Sequence, residues 1–156
     1  MTEHTVQVTV NGEHRTVTVE ARRLLADMLR HDLGNHGTHL GCEHGICGAC
    51  TVLVDGQPVR SCLTLAVQAD GRTVDTVEGL GTPEQLSPLQ EAFSANHGLQ
   101  CGFCTPGFLM LATGYLRETN NPSDDEITDL VASNLCRCTG YQGIIDAVRD
   151  AARRQP

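Results

Sequence analysis

The stretch Gly41-Cys42-Glu43-His44-Gly45-Ile46-Cys47-Gly48-Ala49-Cys50 decides how this chain is read. Three cysteines share one loop with three glycines, and a fourth, Cys62, follows after eleven intervening residues. A [2Fe–2S] core needs four soft thiolates around a small body. A loop that supplies three of them must wrap closely, with its backbone N–H groups turned toward sulfur, and glycine permits that approach. The spacing is that of a plant-type cluster site.

A second set of four stands further on: Cys101 and Cys104, then Cys136 and Cys138, which uses up all eight cysteines. Cys101 and Cys104 come just before an expected helix start, and Cys136 and Cys138 fall between two expected helices. Helix N–H groups and dipoles favour a negative core placed there. Two cysteine pairs can also make a four-thiolate zinc centre, but the single residue between Cys136 and Cys138 is shorter than zinc knuckles use. Four disulfides would serve little purpose in a reducing compartment, so the cysteine count points to metal.

Outward from these loops, the first half reads as strand-rich. Thr5 to Val10 and Arg15 to Val19 alternate polar and apolar residues across an Asn11-Gly12 turn. A short helix follows, with Leu24, Leu25, Met28 and Leu29 on one stripe and a stop near Gly34. Thr51 to Val54 and Val59 to Ser61 flank an Asp55-Gly56 turn and deliver Cys62, while Leu63 to Gln68 and Thr73 to Val77 read as further strand.

The second half reads as helical. Ser87-Pro88 with Gln90 is a capping box with proline at the first helical position. Thr105-Pro106 opens a helix that stops at Asn120-Asn121-Pro122, and Ser123 with Glu126 caps another, expected to run to about Leu135. A last helix is expected from about Gln142 to Arg154. The composition changes near Gly79 to Pro83. The expected class is α+β, with residues 1–80 as one domain and 81–156 as the second.

The chain has 156 residues and a formal charge of −8, from 11 basic and 19 acidic side chains. Two four-thiolate clusters would take this to roughly −12. That balance argues against general binding to nucleic acid or to an anionic membrane surface. No leader and no span of the ~20 apolar residues a bilayer requires is visible, so a cytoplasmic place is expected. With three Phe, two Tyr and no Trp, two halves of this size would lean on their metal centres for stability.

The three motifs Gly41 to Cys50, Gln100-Cys101-Gly102-Phe103-Cys104-Thr105-Pro106-Gly107 and Cys136-Arg137-Cys138-Thr139-Gly140-Tyr141 resemble, in that order, the iron–sulfur subunit of molybdenum hydroxylases. That family includes xanthine dehydrogenase, aldehyde oxidoreductase and bacterial carbon monoxide dehydrogenase. The resemblance implies a β-grasp ferredoxin-like domain followed by a four-helix domain, each holding a [2Fe–2S] cluster. It implies an electron-transfer subunit: a large partner holds molybdopterin, and electrons end on FAD in a medium partner or on another acceptor. The helical cluster would lie beside the pterin, the ferredoxin-type cluster toward the flavin, and Gln100 and Cys138 would contact the pterin. The competing readings are a free-standing two-cluster carrier and a zinc-stabilised interaction module.

Other residues carry weaker signals. His44 gives half of a Rieske pattern, but Cys50 stands where the second histidine would be. Phe103 and Phe108 flank Cys104 and read as a shield against water. Arg137, between two cysteines, is expected to offset cluster charge, pair with a partner chain or simply be solvated. Asp124-Asp125-Glu126 reads as a dipole-favoured helix start rather than a metal site. No nucleophile–base pair, phosphate loop or dinucleotide fingerprint is present, so substrate chemistry belongs to another chain.

Overall fold

The computed structural model describes residues 2–154. Strands β1 (Glu3–Val10) and β2 (Glu13–Glu20) form a hairpin in which Val10 pairs with Glu13. Its two turn residues, Asn11 and Gly12, have φ of 51° and 85°, as the type I′ turn requires. Strands β3 (Thr51–Val54) and β4 (Gln57–Arg60) form a second hairpin, closed by Asp55 and Gly56 in the same conformation. Strand β5 (Thr73–Asp75) lies between them, parallel to β1 and antiparallel to β3. The sheet order is therefore β2-β1-β5-β3-β4.

Across this sheet lies α1 (Leu25–Asp27), which runs directly into a π-helical turn, Met28–Asp32. Leu25, Met28 and Leu29 are fully buried against Val6, Val8, Val52 and Val74. Burying each such side chain stabilises the fold by about 1.5–3 kcal/mol relative to exposure. The arrangement is a β-grasp.

Four helices follow: α2 (Pro88–Ala95), α3 (Thr105–Glu118), α4 (Asp124–Ala132) and α5 (Gln142–Arg153). They enclose a second core that includes Phe93, Phe108, Ile127, Ile144 and Val148. Both capping boxes form. The Ser87 and Ser123 hydroxyls accept from the N–H groups of Gln90 and Glu126, whose side chains accept in return from Ser87 and Ser123. No helix among the described residues is long and apolar enough to cross a membrane.

Two elements differ from the sequence reading. Leu63 to Gln68 is not strand: Ser61–Leu63 and Ala66–Ala69 are 3₁₀ turns. The segment is tied to the start of α1, because Leu25 N–H donates to Thr64 O and Ala66 N–H donates to Arg23 O, both at 2.7 Å. The buried residues are Ala66 and Ala69, a helical spacing, whereas Leu63 and Leu65 stay 62% and 37% exposed. Helix α4 also ends earlier than expected, at Ala132, because the N–H of Leu135 leaves the helix ladder for the other half of the molecule.

The two halves are packed tightly. Helix α3 lies against β3 and β4 through its glycines. A Cβ on Gly107 would stand 2.3 Å from Gly48 O, and one on Gly114 would stand 2.6 Å from the Pro58 ring. Arg117 pairs with Asp75 at 3.1 Å, and Gln57 donates to Glu118, at the far end of the same contact.

Candidate metal centres

The first four cysteines converge from one loop and one turn. The loop from Gly41 to Cys50 has no regular structure, and three of its residues take positive φ: Glu43, Gly45 and Gly48. This curls the chain around Cys42 and Cys47, so that Cys47 N–H donates to Cys42 Sγ at 3.3 Å. Gly41 is needed by contact, since a Cβ there would come within 3.0 Å of Cys47 Sγ. Cys50 leads into β3, and Cys62 sits in the 3₁₀ turn after β4. The β3–β4 hairpin is thus what brings the fourth thiol back, fastened by Ser61 Oγ donating to Cys50 O at 2.7 Å.

The thiols fall into pairs. Cys42 and Cys47 interact directly, as do Cys50 and Cys62. The backbone N–H of Cys47 is the main cause that brings the Cys42 thiol down to about 6, in favour of thiolate. Burial, followed by the neighbouring Cys50, pushes Cys62 up to about 11.

In the second set, Cys104 is the cap of α3, with Cys101 in the bend before it, and Cys136 and Cys138 lie in the turn between α4 and α5. Here too the thiols pair, Cys104 with Cys136 and Cys101 with Cys138. All four line one cavity of about 320 Å³ with Phe103, Leu135, Arg137 and Tyr141. Burial, then Cys136, pushes Cys104 up to about 12. Burial also acts upward on Cys136, but the Thr139 hydroxyl at 3.1 Å and its N–H at 3.4 Å outweigh it, and the net shift is down. Cys138 is raised, chiefly by its contact with Cys101. Tyr141, at φ 71°, turns its hydroxyl back to accept from Cys136 N–H at 3.0 Å and so fixes the ligand turn.

Among the described residues no three Cys, His, Asp or Glu side chains gather around a single ion position. Two thiols per iron is instead the arrangement that a binuclear core with four thiolates needs. The donor set, the N–H groups facing sulfur and the cavity between the second four thiols all fit such a core.

The other candidates are placed as follows. Gln100 is exposed next to Cys101 in the chain, as is Leu99, and Phe103 and Leu135 in the thiol cavity are 46% and 51% exposed. His44 is exposed and its Nδ1 donates to the Cys42 carbonyl. Phe103 lines the thiol cavity and is 46% exposed, while Phe108 is buried in the helical core against which Cys104 and Cys136 pack. Arg137 lines the cavity and is exposed. Asp124 pairs with Arg149 at 2.6 Å. The sequence reading assigned no role to Thr139, Asn134, Arg60 or His39. Thr139 is the one with a local signal, a hydroxyl three residues after a cysteine; the others act across the seam between the halves.

Comparison with known proteins decides the class. Residues 8–78 match the model of a 2Fe-2S iron-sulfur cluster binding domain, and residues 76–149 match that of a [2Fe-2S] binding domain. The nicotine 6-hydroxylase small subunit of Paenarthrobacter nicotinovorans is 59% identical over 146 residues, 94% of this chain and 88% of that protein. The chain belongs to the iron–sulfur subunits of the molybdenum hydroxylases. Quinoline 2-oxidoreductase from Pseudomonas putida 86 contains a chain that superposes with a TM-score of 0.92 at 51% identity, covering 97% of this chain and 94% of that one. The aldehyde oxidoreductase of Megalodesulfovibrio gigas is 48% identical over 148 residues, 93% of this chain but 16% of its own length.

As such a subunit the chain carries two [2Fe–2S] clusters and transfers electrons within a multi-subunit oxidoreductase. The independent carrier and the zinc module are not favoured.

Proposed function

We propose that this iron–sulfur subunit relays electrons from a molybdopterin in a large partner, by way of the helical ligand set and then the ferredoxin-type set, to FAD in a medium partner. The ligands in this reading are Cys101, Cys104, Cys136 and Cys138 for one cluster and Cys42, Cys47, Cys50 and Cys62 for the other. Bound there, each cluster supplies a one-electron centre. The chain's own part is to hold thiolates, exclude water and fix the separation. Residues 1–80 form the ferredoxin-type domain and 81–156 the helical one, a division supported by the two separate hydrophobic cores.

The observation that carries the proposal is that exposed apolar side chains border both thiol sets. Phe103 and Leu135 line the cavity of the helical set, while Ile46 lies in the ferredoxin-type loop and Leu63 directly follows Cys62, 61% and 62% exposed. A Cβ on Gly45 would lie 2.4 Å from Leu63, so the loop and this leucine form one surface. Exposed apolar side chains on an otherwise charged chain suit docking to two partners. Gln100, next to Cys101, and Cys138 are the residues that face the pterin in this reading. Between the two sets, Leu135 N–H donates to Cys47 O at 2.9 Å. A single hydrogen bond therefore joins a ligand of one set to the residue preceding a ligand of the other.

Two of the named relatives act on nitrogen heterocycles, nicotine and quinoline, at more than 50% identity, and we infer a substrate of that chemistry for the complex, in a cytoplasmic setting. Serine variants test the ligand sets. Cys47→Ser removes the ferredoxin-type EPR signal and spares the other, and Cys104→Ser does the reverse. Loss of the same signal in both variants would show that the sets are shared between halves.

A further inference from the structure

The seam between the halves contains an expensive residue. Asn134 is 1% exposed, yet its Oδ1 has no hydrogen-bond partner, and its Nδ2 makes one long bond, to Gly48 O at 3.3 Å. A buried, half-satisfied amide costs stability that an apolar side chain of similar size would not. The amide is pressed against the ferredoxin-type loop: a Cβ on Gly48 would stand 1.9 Å from Oδ1, and Gly48 has φ 74°. The amide thus occupies the space that any side chain at position 48 would need.

The bonds around Asn134 form one clamp. Thr51 Oγ1 donates to the same Gly48 carbonyl at 2.7 Å. The Arg60 guanidinium donates to Thr51 Oγ1 at 2.5 Å and to Ser133 O at 2.9 Å. Inside the clamp lies the Leu135-to-Cys47 hydrogen bond. Residues 133–135, which should have continued α4, are thereby held against residues 47–51.

We propose that Asn134 is a positioning residue for electron transfer: by gripping Gly48 it sets the register of the Leu135–Cys47 contact, and with it the separation and coupling of the two clusters. This rests on the assignment of Cys47 and Cys136 as ligands. Asn134 is not a thiol ligand and acts through the backbone it holds. The stability cost of its orphan oxygen is the counterpart of that role, as sites that depart from good packing are often functional.

The test uses Asn134→Leu in the assembled, reduced complex. Leucine keeps the branched shape, is larger than the amide and removes the orphan polar atom, so iron and sulfide content is read first to establish that the seam still packs. The proposal expects unchanged iron and sulfide content, altered spin–spin splitting between the two reduced clusters, and a several-fold slower re-equilibration between them after flash reduction. Intact clusters with unchanged splitting and unchanged rate overturn it. Should Asn134→Leu fail to assemble, Arg60→Gln decides, since it loosens the same segment from the surface side. Altered splitting at full iron content supports the clamp, and unaltered splitting overturns it. A wrong ligand assignment would show differently, as cluster loss that does not follow the Cys47→Ser and Cys104→Ser pattern.

Discussion

At the residue scale, glycine decides how closely the two cluster-bearing halves approach. Gly107 is in the first turn of α3, where alanine would ordinarily favour the helix by about 1 kcal/mol. Here the added Cβ would meet Gly48 O at 2.3 Å and Ala49 Cα at 2.9 Å, both backbone atoms that cannot swing away. The clash outweighs the propensity, and Gly107→Ala is expected to destabilise the chain by about 1–3 kcal/mol, measured by chemical denaturation of the holo protein. A neutral or stabilising effect would mean that the seam is looser than the structure describes. The cysteines and the loop glycines were legible in the sequence because their spacing is local. Asn134 and Arg60 were not, because nothing in the residues around them announces that their partners lie 86 and 73 positions away.

At the element scale, the caps decide where helices begin, and these were legible. Ser123 and Glu126 close a reciprocal box at the start of α4. Ser123→Ala should cost about 1 kcal/mol and lower the thermal midpoint by roughly 2–4 °C. The same box is pH-sensitive. The Ser123 N–H and hydroxyl hold the Glu126 carboxyl below its ordinary value of 4.5. Its contribution is therefore complete above that unfolded-state value and is lost as pH falls through the lower folded-state one. The stability difference between the native chain and Glu126→Ala should shrink on acidification through this window. A difference that stays constant down to the acid transition would contradict the assignment.

The two elements misread from sequence also have a physical cause. Leu63, Leu65 and Val67 alternate like a strand, but the backbone of Thr64 and Ala66 is engaged by Leu25 and Arg23 of the α1 entry. The Leu63 and Leu65 side chains are thus left exposed, while Val67 stays partly buried against the sheet core. Helix α4 stops short of Leu135 because tertiary bonding to Cys47 replaces the next turn. Both departures lie beside a thiol set, where local preference yields to the site.

At the scale of the whole molecule, two small halves with three Phe and no Trp between them share a seam of backbone contacts and two sets of four thiols. Metal binding should therefore be part of folding stability, and chelation or iron-free expression should lower the unfolding midpoint more than any single surface substitution. The α+β class and the two ligand-bearing loops follow from pattern and spacing. The seam that couples them follows only from the fold.

Iron and acid-labile sulfide analysis, joined to EPR of the reduced subunit in its complex, tests the central claim most directly. Two clusters in separate thiol sets require about four irons and about four sulfides per chain, with two distinguishable signals that appear on reduction. Stoichiometric zinc without sulfide, or half the iron with a single signal, would contradict it.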